Sequence, residues 1–232
     1  SDGTLERRKA RLVLLGNLQR QFVDFYDTYA PVADFVVVRI VLATACSKHW
    51  IVHQLDVKSA FLNGYIDEEI YMQLPPEYAR ADGKVCKLKR SIYGLRQAPR
   101  AWNKRLCEDL KGSGFKALVN AESVFYGVIT GSVVYLIIYV DDILVASSSE
   151  QAVLTAKKSL RELYTIKDLG EAEYFLGVKI EREHNRLKLS QESYVHAVLE
   201  RYGMQDCKPV TSPMVQASDL MSKSPRSDSE AS

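Results

Sequence analysis

The chain has few cysteines, and the four that it has are far apart, with no Cys-x-x-Cys pair among them. Its four histidines do not complete a zinc-binding pattern with them. These absences argue against a disulfide framework and a zinc site, and they favour reduced thiols in a reducing compartment. The longest apolar run, Val133 to Val140, has eight residues, whereas a membrane-spanning helix needs roughly 20. The sequence therefore predicts no membrane segment.

A signal peptide and internal repeats are also absent, because the first residues are polar and charged and no segment recurs. The chain opens at Ser1 inside a charged stretch, and we expect it to be an internal fragment of a longer polypeptide. Its 232 residues are 47% hydrophobic and 26% charged, enough for the core of one large domain or two small ones. We expect a soluble intracellular protein.

Acidic residues are missing from one long stretch of the chain. The net charge is only +2, yet residues 84–105 carry eight Lys and Arg residues and no Asp or Glu. A second, smaller basic cluster covers residues 7–11. Clustered cations of this kind suit a surface that follows phosphates, and they equally suit a solvated helix face. Composition alone leaves both interpretations open.

Apolar periodicity and turn residues indicate a mixed set of elements. Helices are predicted at residues 34–48, 98–110, 150–164 and 193–202, and a short turn or helix at 59–63. Strands are predicted at residues 9–15, 50–57, 69–74, 85–89, 133–140, 143–146, 174–181 and 186–190. Helices alternate with hairpins, including one that turns at His184-Asn185, which favours an α+β fold with an antiparallel sheet.

Two adjacent carboxylates, Asp141 and Asp142, stand between two apolar strands and would occupy the tip of a hairpin. Aspartate is common in turns, so a merely solvated turn is one interpretation. Asp56 also ends an apolar strand, and the three acids converge if the two strands are neighbours in one sheet. Carboxylates are the ligands that Mg²⁺ prefers, and two such ions can activate a hydroxyl and stabilise a leaving phosphate.

Several ordered blocks of the sequence resemble those of copia-type (pseudovirus) reverse transcriptases. The segment His53-Gln54-Leu55-Asp56-Val57-Lys58-Ser59-Ala60-Phe61-Leu62-Asn63-Gly64 looks like the first catalytic block of that family. Residues 93–102 look like the next block, Tyr139 to Asp142 match the Tyr-x-Asp-Asp box, and Tyr174 to Gly177 resemble the primer-contacting hairpin. The resemblance extends from about residue 7 to residue 214.

The resemblance implies a role for each matching residue. Asp56, Asp141 and Asp142 would be the catalytic acids, and together with Val57 they would hold two Mg²⁺ ions, with Mn²⁺ as an alternative. Contacts with the incoming deoxynucleotide are implied for Lys9, Arg11, Lys58, Ser59, Ala60, Phe61, Gln97 and Tyr139. Contacts with nucleic acid are implied for Arg96, Pro99, Arg100, Trp102, Tyr139, Val140, Phe175, Leu176 and Gly177. Lys167 lies near the family's general acid for pyrophosphate.

Some of these assignments have alternatives. Phe61 matches the steric-gate position, where a ring excludes the ribose 2′-hydroxyl, and the alternative is an ordinary core phenylalanine. Gln97 is placed at the nucleotide and template by the resemblance alone. Either Lys9 or Arg11 would supply a cation for the triphosphate, and the sequence does not choose between them.

The resemblance further implies a right-hand polymerase fold over residues 7–205. Fingers would cover about residues 7–50 and 67–105, the palm about 51–66 and 106–190, and a partial thumb 191–205, with residues 206–232 as a linker or disordered tail. Expected partners are a primed RNA or DNA template, dNTPs and the missing Pol regions: the rest of the thumb, ribonuclease H and integrase. We expect no membrane partner. The expected location is cytoplasmic, in virus-like particles, with a nuclear phase.

Two departures from the family pattern keep other functions open. Leu14-Leu15 stands where a small residue and a cation are expected, and the thumb stops after one helix. An inactive retroelement relic that folds and binds nucleic acid without catalysis is therefore the main alternative. A nucleotide cyclase is a more distant one, because it needs neither the basic segment nor a primer-contacting hairpin.

Overall fold

The computed structural model describes residues 10–75, 78, 83–183 and 186–211. In chain order its helices and strands are α1 (Phe35–Ser47), β1 (Ile51–Val57), β2 (Tyr71–Gln73), β3 (Val85–Lys87), α2 (Ala98–Gly112), β4 (Lys116–Leu118), β5 (Ala121–Ile129), β6 (Ser132–Tyr139), β7 (Asp142–Ser147), α3 (Glu150–Leu163), β8 (Ile166–Glu171), β9 (Tyr174–Phe175), β10 (Val178–Glu183), β11 (Arg186–Ser190) and α4 (Glu192–Arg201). Short 3₁₀ helices cover Gly16–Leu18 and Ala60–Asn63.

The fold is built on a six-stranded antiparallel sheet in the order β4-β5-β6-β7-β1-β8. Two smaller sheets accompany it, β11-β10-β9 and β2-β3. This architecture confirms the predicted α+β class with an antiparallel sheet. β1 comes earliest in the chain of the six strands, yet it is inserted between β7 and β8.

The large sheet has an apolar layer on each face. On one face Leu55 and Val57 of β1 pack with α2 and α3 around the buried Trp102. On the other face Val52 of the same strand packs with Val38, Leu42 and Ala45 of α1. Because successive side chains of a strand point to opposite faces, β1 contributes to both layers. Although it lies next to the edge strand β8, it joins the two apolar layers.

The starts of three helices are fixed by capping side chains or by a proline. The Ser149 side chain accepts a hydrogen bond from Ala152 N (3.3 Å) and begins α3, while Asp34 accepts one from Val36 N (2.7 Å) and begins α1. Such caps satisfy backbone donors that have no partner inside the helix. Pro99 lies in the first turn of α2, where a missing N–H costs nothing. These three predicted helices are confirmed.

Three predictions of local structure were wrong. Residues 10–15 of the predicted first strand pair with no strand in the described part of the chain; Leu14 N instead donates to Tyr93 O (2.8 Å). The spacing of Phe35, Val38, Leu42 and Cys46 predicts that they form the buried face of α1; Val38 and Leu42 are buried, together with Ala45, but Phe35 is exposed. The predicted strand 174–181 is interrupted at Leu176-Gly177, where both residues have positive φ and form a tight turn.

Two regions of the sheet were not predicted at all, namely β4 with β5 and β8. The turn proposed at His184-Asn185 lies outside the described residues, although β10 and β11 on either side of it are neighbours. No helix in the described part of the chain is both long and apolar enough to cross a membrane.

The described residues divide into two compact units, the second of which begins at Ser190. In that unit, α4 has no buried residue and ends before Gly203, which has a φ of +63°. Glycine is usual where a helix ends with left-handed backbone. Residues 206–211 form neither helix nor strand, and the rest of the predicted tail lies outside the described residues.

The N-terminal segment crosses the 91–96 loop at a close backbone contact. Gly94 has a φ of +95°, and a Cβ at this position would lie 1.9 Å from Leu14 O. A Cβ on Gly16 would similarly lie 2.0 Å from Gly94 O. Both glycines are therefore required by the contact itself, and Gly94 is also required by its positive φ.

Gly94→Ala is expected to lower the free energy of unfolding by about 1–3 kcal/mol, because the new methyl group collides with Leu14 and the backbone is strained. Urea unfolding measures the loss. Gly112→Ala is the matched control, since that glycine is helical and open around its Cβ position. Equal midpoints for the two variants would contradict the assigned role of the crossing.

Candidate active site

The predicted acids lie at one end of the large sheet. Register pairs Asp56 of β1 with Asp142 of β7, and the same row continues to Lys167 of β8 and Tyr139 of β6. Directly opposed residues of antiparallel strands share a face, with Cβ atoms about 4.5–5.5 Å apart. The fold therefore brings the carboxylates of Asp56 and Asp142 side by side, with Lys167 next to Asp56 and Tyr139 next to Asp142. Asp56 and Asp142 form the acid row.

Asp141 lies in the tight turn between β6 and β7. Tyr139 pairs with Asp142, so Val140 and Asp141 form a two-residue hairpin loop. Val140 has a φ of +57°, a conformation in which a β-branched residue is strained. Positive φ at only the first loop residue is the pattern of a type II′ turn, which normally has glycine there.

Two hydrogen bonds from outside the hairpin hold this strained turn. Trp102 Nε1 donates to Val140 O (2.6 Å), and Val57 N donates to Asp141 O (2.8 Å). Trp102 is only 1% exposed and packs edge-on against Tyr164, with ring centroids 5.0 Å apart. Helix α2 and strand β1 thus fix the backbone on either side of the carboxylates.

Three negative charges, those of Asp56, Asp141 and Asp142, lie close together at this end of the sheet. Burial raises the pKa of Asp142, the hydrogen bond from Gln54 Nε2 to Asp142 Oδ1 (3.0 Å) lowers it, and the neighbouring Asp141 and Asp56 raise it further. A site that raises the pKa of a carboxylate in this way favours either protonation or a bound cation.

These acids suit a hard divalent cation by their chemistry, because all the donors are carboxylate oxygens. Among the described residues, no group of three or more His, Cys, Asp or Glu side chains lies close enough to hold a metal ion as it stands. The pairing of Asp56 with Asp142, and not a closed cage, is what the structure offers to such an ion.

A cavity of about 570 Å³ opens beside the acids. Its charged lining consists of two carboxylates, Asp56 and Asp141, and three cations, Arg11, Lys58 and Lys167. Ser59, Tyr93 and Leu62 are among its other walls. Arg11 lies over the Tyr93 ring, with Cζ 5.1 Å from the centroid, a cation–π arrangement that holds the guanidinium near the opening.

Three of the predicted nucleotide contacts, Arg11, Lys58 and Ser59, line this cavity. Lys58 and Ser59 line it, and Ser59 has a φ of +54°. Ala60 is buried. Phe61 does not line the cavity but packs against Tyr93, which does, with ring centroids 5.0 Å apart. Arg11 lines the cavity, but Lys9 lies outside the described residues, so the choice between Lys9 and Arg11 stays open.

Gln97 is engaged elsewhere in the structure. Its side chain is buried, donates from Nε2 to Asp24 O (2.9 Å) and accepts from Gln19 Nε2 (3.0 Å). These bonds attach the 16–27 loop to the start of α2. Its contact with nucleotide or template stays a prediction.

The predicted nucleic-acid contacts are dispersed and mostly occupied. Arg96 Nε donates to Gly16 O (2.7 Å), and Arg100 forms an ion pair with Asp27 (3.0 Å). Pro99 is half-buried at the start of α2. The Trp102 and Phe175 rings are buried, so these two side chains offer no exposed face. Leu176 and Gly177 form the turn between β9 and β10.

The basic segment is less free than its composition suggested. Lys87, Lys104 and Arg105 form ion pairs with Glu69, Asp67 and Asp109 respectively. All three acids lie outside residues 84–105, and Asp109 is one turn further along α2 than Arg105. Its binding to template phosphates stays a prediction.

Sequence reasoning missed two residues of the site. Gln54 bonds Asp142, and its spacing two residues before Asp56 on a strand would have placed it on the same face. Tyr93 lines the cavity, but no local pattern indicates this, because its position depends on the crossing at Gly94.

Comparison with known proteins identifies close relatives. A family model described as "Reverse transcriptase (RNA-dependent DNA polymerase)" matches residues 2–216. The chain is 40% identical over 222 residues to the retrovirus-related Pol polyprotein from transposon RE1 of Arabidopsis thaliana, covering 95% of this chain and 15% of the relative. It is 39% identical over 218 residues to the Pol polyprotein from transposon TNT 1-94 of Nicotiana tabacum, covering 92% and 16%. The chain thus spans less than a fifth of these relatives.

Trp102→Phe is expected to release the hairpin turn, because it keeps an aromatic ring but removes the indole N–H that bonds Val140 O. Unfolding free energy should fall by about 1–3 kcal/mol, the cost of an acceptor left unsatisfied away from water. Hydrogen exchange at Val57 N, which bonds the same turn, should become faster. Trp50→Phe serves as the control, since Trp50 stacks on Tyr135 far from this turn. Unchanged protection at Val57 in Trp102→Phe would exclude the role.

Asp142→Asn is expected to stabilise the metal-free protein at pH 7, because it removes a partly buried charge beside two others. The folded state raises the pKa of Asp142. The ionised carboxylate therefore lowers the free energy of unfolding of the wild-type chain at pH values above that raised pKa, and this loss vanishes below the ordinary Asp pKa of 3.8. The gain should therefore disappear in acid. Thermal unfolding across this pH range, with the exposed Asp206→Asn as control, measures it, and a gain that persists in acid would contradict the electrostatic cause.

Proposed function

Since the chain belongs to the reverse transcriptase (RNA-dependent DNA polymerase) family, we propose that it is the nucleotidyl-transfer core of a copia-type enzyme. It would add deoxynucleotides to a primer 3′-hydroxyl on an RNA or DNA template and release pyrophosphate. The observation that carries the proposal is the row of Asp56 and Asp142 in register on adjacent strands, beside a cavity lined by three cations.

The cavity cations suit a triphosphate. Arg11, Lys58 and Lys167 surround an opening that the acids border on one side, which matches an anion of high charge held next to a metal-binding edge. Arginine can bind phosphate oxygens in pairs, whereas lysine acts as a point charge. In-line phosphoryl transfer depends mostly on such positioning and charge neutralisation.

Asp56, Asp141 and Asp142, with the backbone of Val57, would hold two Mg²⁺ ions, or Mn²⁺ in their place. When bound, these ions would neutralise phosphate charge and lower the pKa of the attacking hydroxyl. The protein's own part is to keep the carboxylates aligned, which it does through strand pairing and through the bonds to the Val140-Asp141 turn.

Lys167 is the candidate proton donor to the leaving pyrophosphate. It lines the cavity and lies opposite Asp56 in register, so it can reach both the phosphate-binding space and the acid row. A general acid in this position contributes typically about 100-fold or more to a rate.

Selection of the sugar is assigned to the Phe61–Tyr93 pair. Tyr93 lines the cavity, and Phe61 packs against it edge-on. We propose that Phe61 acts by fixing Tyr93 or by turning toward a bound nucleotide. Either arrangement would oppose a 2′-hydroxyl by shape.

The proposed architecture follows the family's right hand. Residues of about 51–66 and 106–190 would form the palm, those of about 7–50 and 67–105 the fingers, and 191–205 part of a thumb, with 206–232 as a linker or tail. The partners would be a primed template, dNTPs and other Pol regions such as ribonuclease H and integrase. We further propose cytoplasmic virus-like particles, with a nuclear phase, as its location.

Primer extension tests the function. The chain is supplied with a primed RNA template, dNTPs and Mg²⁺, and Asp141→Asn is expected to reduce extension about 100-fold or more, the loss typical of removing one charge-stabilising group. The exposed Asp206→Asn is the matched control and should extend normally.

Binding of the primed duplex, measured in parallel, separates the outcomes. Extension that Asp141→Asn abolishes while duplex affinity is kept establishes a polymerase. A folded chain that binds the duplex but never extends it would replace the proposal with that of an inactive relic.

A further inference from the structure

The pairing of β1 with β8 contains one irregularity, next to the acid row. Gln54 pairs with Gly170, but the next residue, Leu55, pairs with Asp168, so Leu169 has no partner on β1. Leu169 is exposed, and Gly170 has a φ of +77°. One extra residue on one strand, next to a glycine of positive φ, is a β-bulge.

The bulge decides which side chain of β8 lies opposite Asp56. With it, Asp56 is paired with Lys167. Without it, continuing the register from Gln54 and Gly170 by single steps would place Asp168 opposite Asp56 and turn Lys167 to the other face. A shift of one residue moves every side chain of a strand to the opposite face. The bulge therefore exchanges a repelling carboxylate for an attracting cation beside Asp56.

An ion pair between a buried lysine and the half-buried Asp168 holds Asp168 in the bulged register. Lys157 of α3 is 3% exposed, and its Nζ lies 2.9 and 3.0 Å from the two carboxylate oxygens of Asp168. Lys157 Nζ also contacts His53 Nδ1, and Gly170 N donates to Asp168 Oδ1 (3.0 Å). The three donors of the ammonium group thus have three acceptors.

The ion pair lies on the side of the sheet away from the acids. Asp168 is opposite Leu55, and His53 lies two residues before Leu55 on β1. Both side chains are therefore on the face of the sheet where Leu55 is buried and α3 packs, and Asp56 is on the other face. If β8 slipped by one residue, Asp168 would leave this face and Lys157 would keep a buried charge without its carboxylate. Removing one partner from such a pair is strongly unfavourable.

We propose that Lys157 and Asp168 are positioning residues that fix the register of β8 and so place Lys167 opposite Asp56. This inference rests on the proposed function for the role of Lys167, but not for the register itself. Neither Lys157 nor Asp168 lines the cavity beside the acids. They act through the backbone of β8.

Arg161 provides a matched control. Its Nη2 lies 2.7 Å from Asp168 Oδ2, so it contacts the same carboxylate, but its side chain is 49% exposed. Arg161→Met removes a cation from Asp168 at the surface, whereas Lys157→Met removes the buried one. In Lys157→Met, Arg161 and Gly170 N remain to bond Asp168, so the chain should still fold. Asp168→Asn, which keeps the shape of the side chain, is a second variant if it does not.

Disulfide trapping tests the register without any need for activity. Asp56→Cys with Lys167→Cys, in a Cys207→Ser background, joins residues that face each other across two strands, a separation that a disulfide can bridge. We expect oxidation to link them quickly, and Lys157→Met or Asp168→Asn to slow the linkage about 10-fold or more, while Arg161→Met does not. Equal rates in all variants would overturn the proposal, whether or not the chain is a polymerase.

A double-mutant cycle in primer extension tests the consequence. Lys157→Met should lower kcat about 10-fold or more at little change in the KM for dNTP, as part of the factor that a general acid supplies. In a Lys167→Met background the same change should have no further effect, because both act on one group. Additive losses would show that Lys157 supports only stability, which would overturn its positioning role.

Discussion

The side-by-side placement of Asp56 and Asp142 is the constraint on which the rest of the structure depends. Two carboxylates on neighbouring strands repel each other, and Asp141 in the adjoining turn adds a third negative charge. Directly opposed like charges destabilise a sheet. The arrangement persists because β1 is held on both edges, by β7 and by β8, and because its apolar residues are buried on both faces. A strand that is anchored in this way cannot separate from β7 to relieve the repulsion. The core is therefore what keeps the acids together.

The same region stores backbone strain, and hydrogen bonds hold it in place. Val140 and Ser59 both have positive φ without being glycine, each at a cost of about 1–3 kcal/mol. Both lie directly beside the acid row, on the two segments that border it. The turn at Val140 is fixed by Trp102 and Val57, and Lys58 N beside Ser59 donates to Thr165 O (2.9 Å). The two strained residues belong to segments that are distant in sequence, and each segment contributes lining residues, Ser59 and Asp141, to the same cavity.

The sequence predicted the elements whose signals are local. Apolar periodicity and turn residues indicated α2, α3, β1, β6 and β7, and the acids at the ends of those strands indicated the site. What could not be predicted depends on pairings between distant residues. β8 has little apolar character, and it is a strand because β1 lies beside it. The cations of residues 84–105 appeared unpaired because their partners, such as Asp27 and Asp67, come from segments that the fold brings near. Gln97 is buried for the same reason: the loop that covers it begins some 80 residues earlier.

The two faces of β1 have different roles at the site. Residues 52, 54 and 56 lie on the face of the acid row, and residues 51, 53, 55 and 57 lie on the face of the Lys157–Asp168 pair. The two sets of side chains are connected only through the backbone of the strand. An interaction on the Leu55 face can therefore affect the acids only by changing which residues lie opposite one another. A buried ion pair adds little net stability compared with apolar residues of the same size. Its advantage over such residues is directional, because only one register satisfies both charges. In this sheet that register is the one that puts a lysine, and not a third carboxylate, next to Asp56.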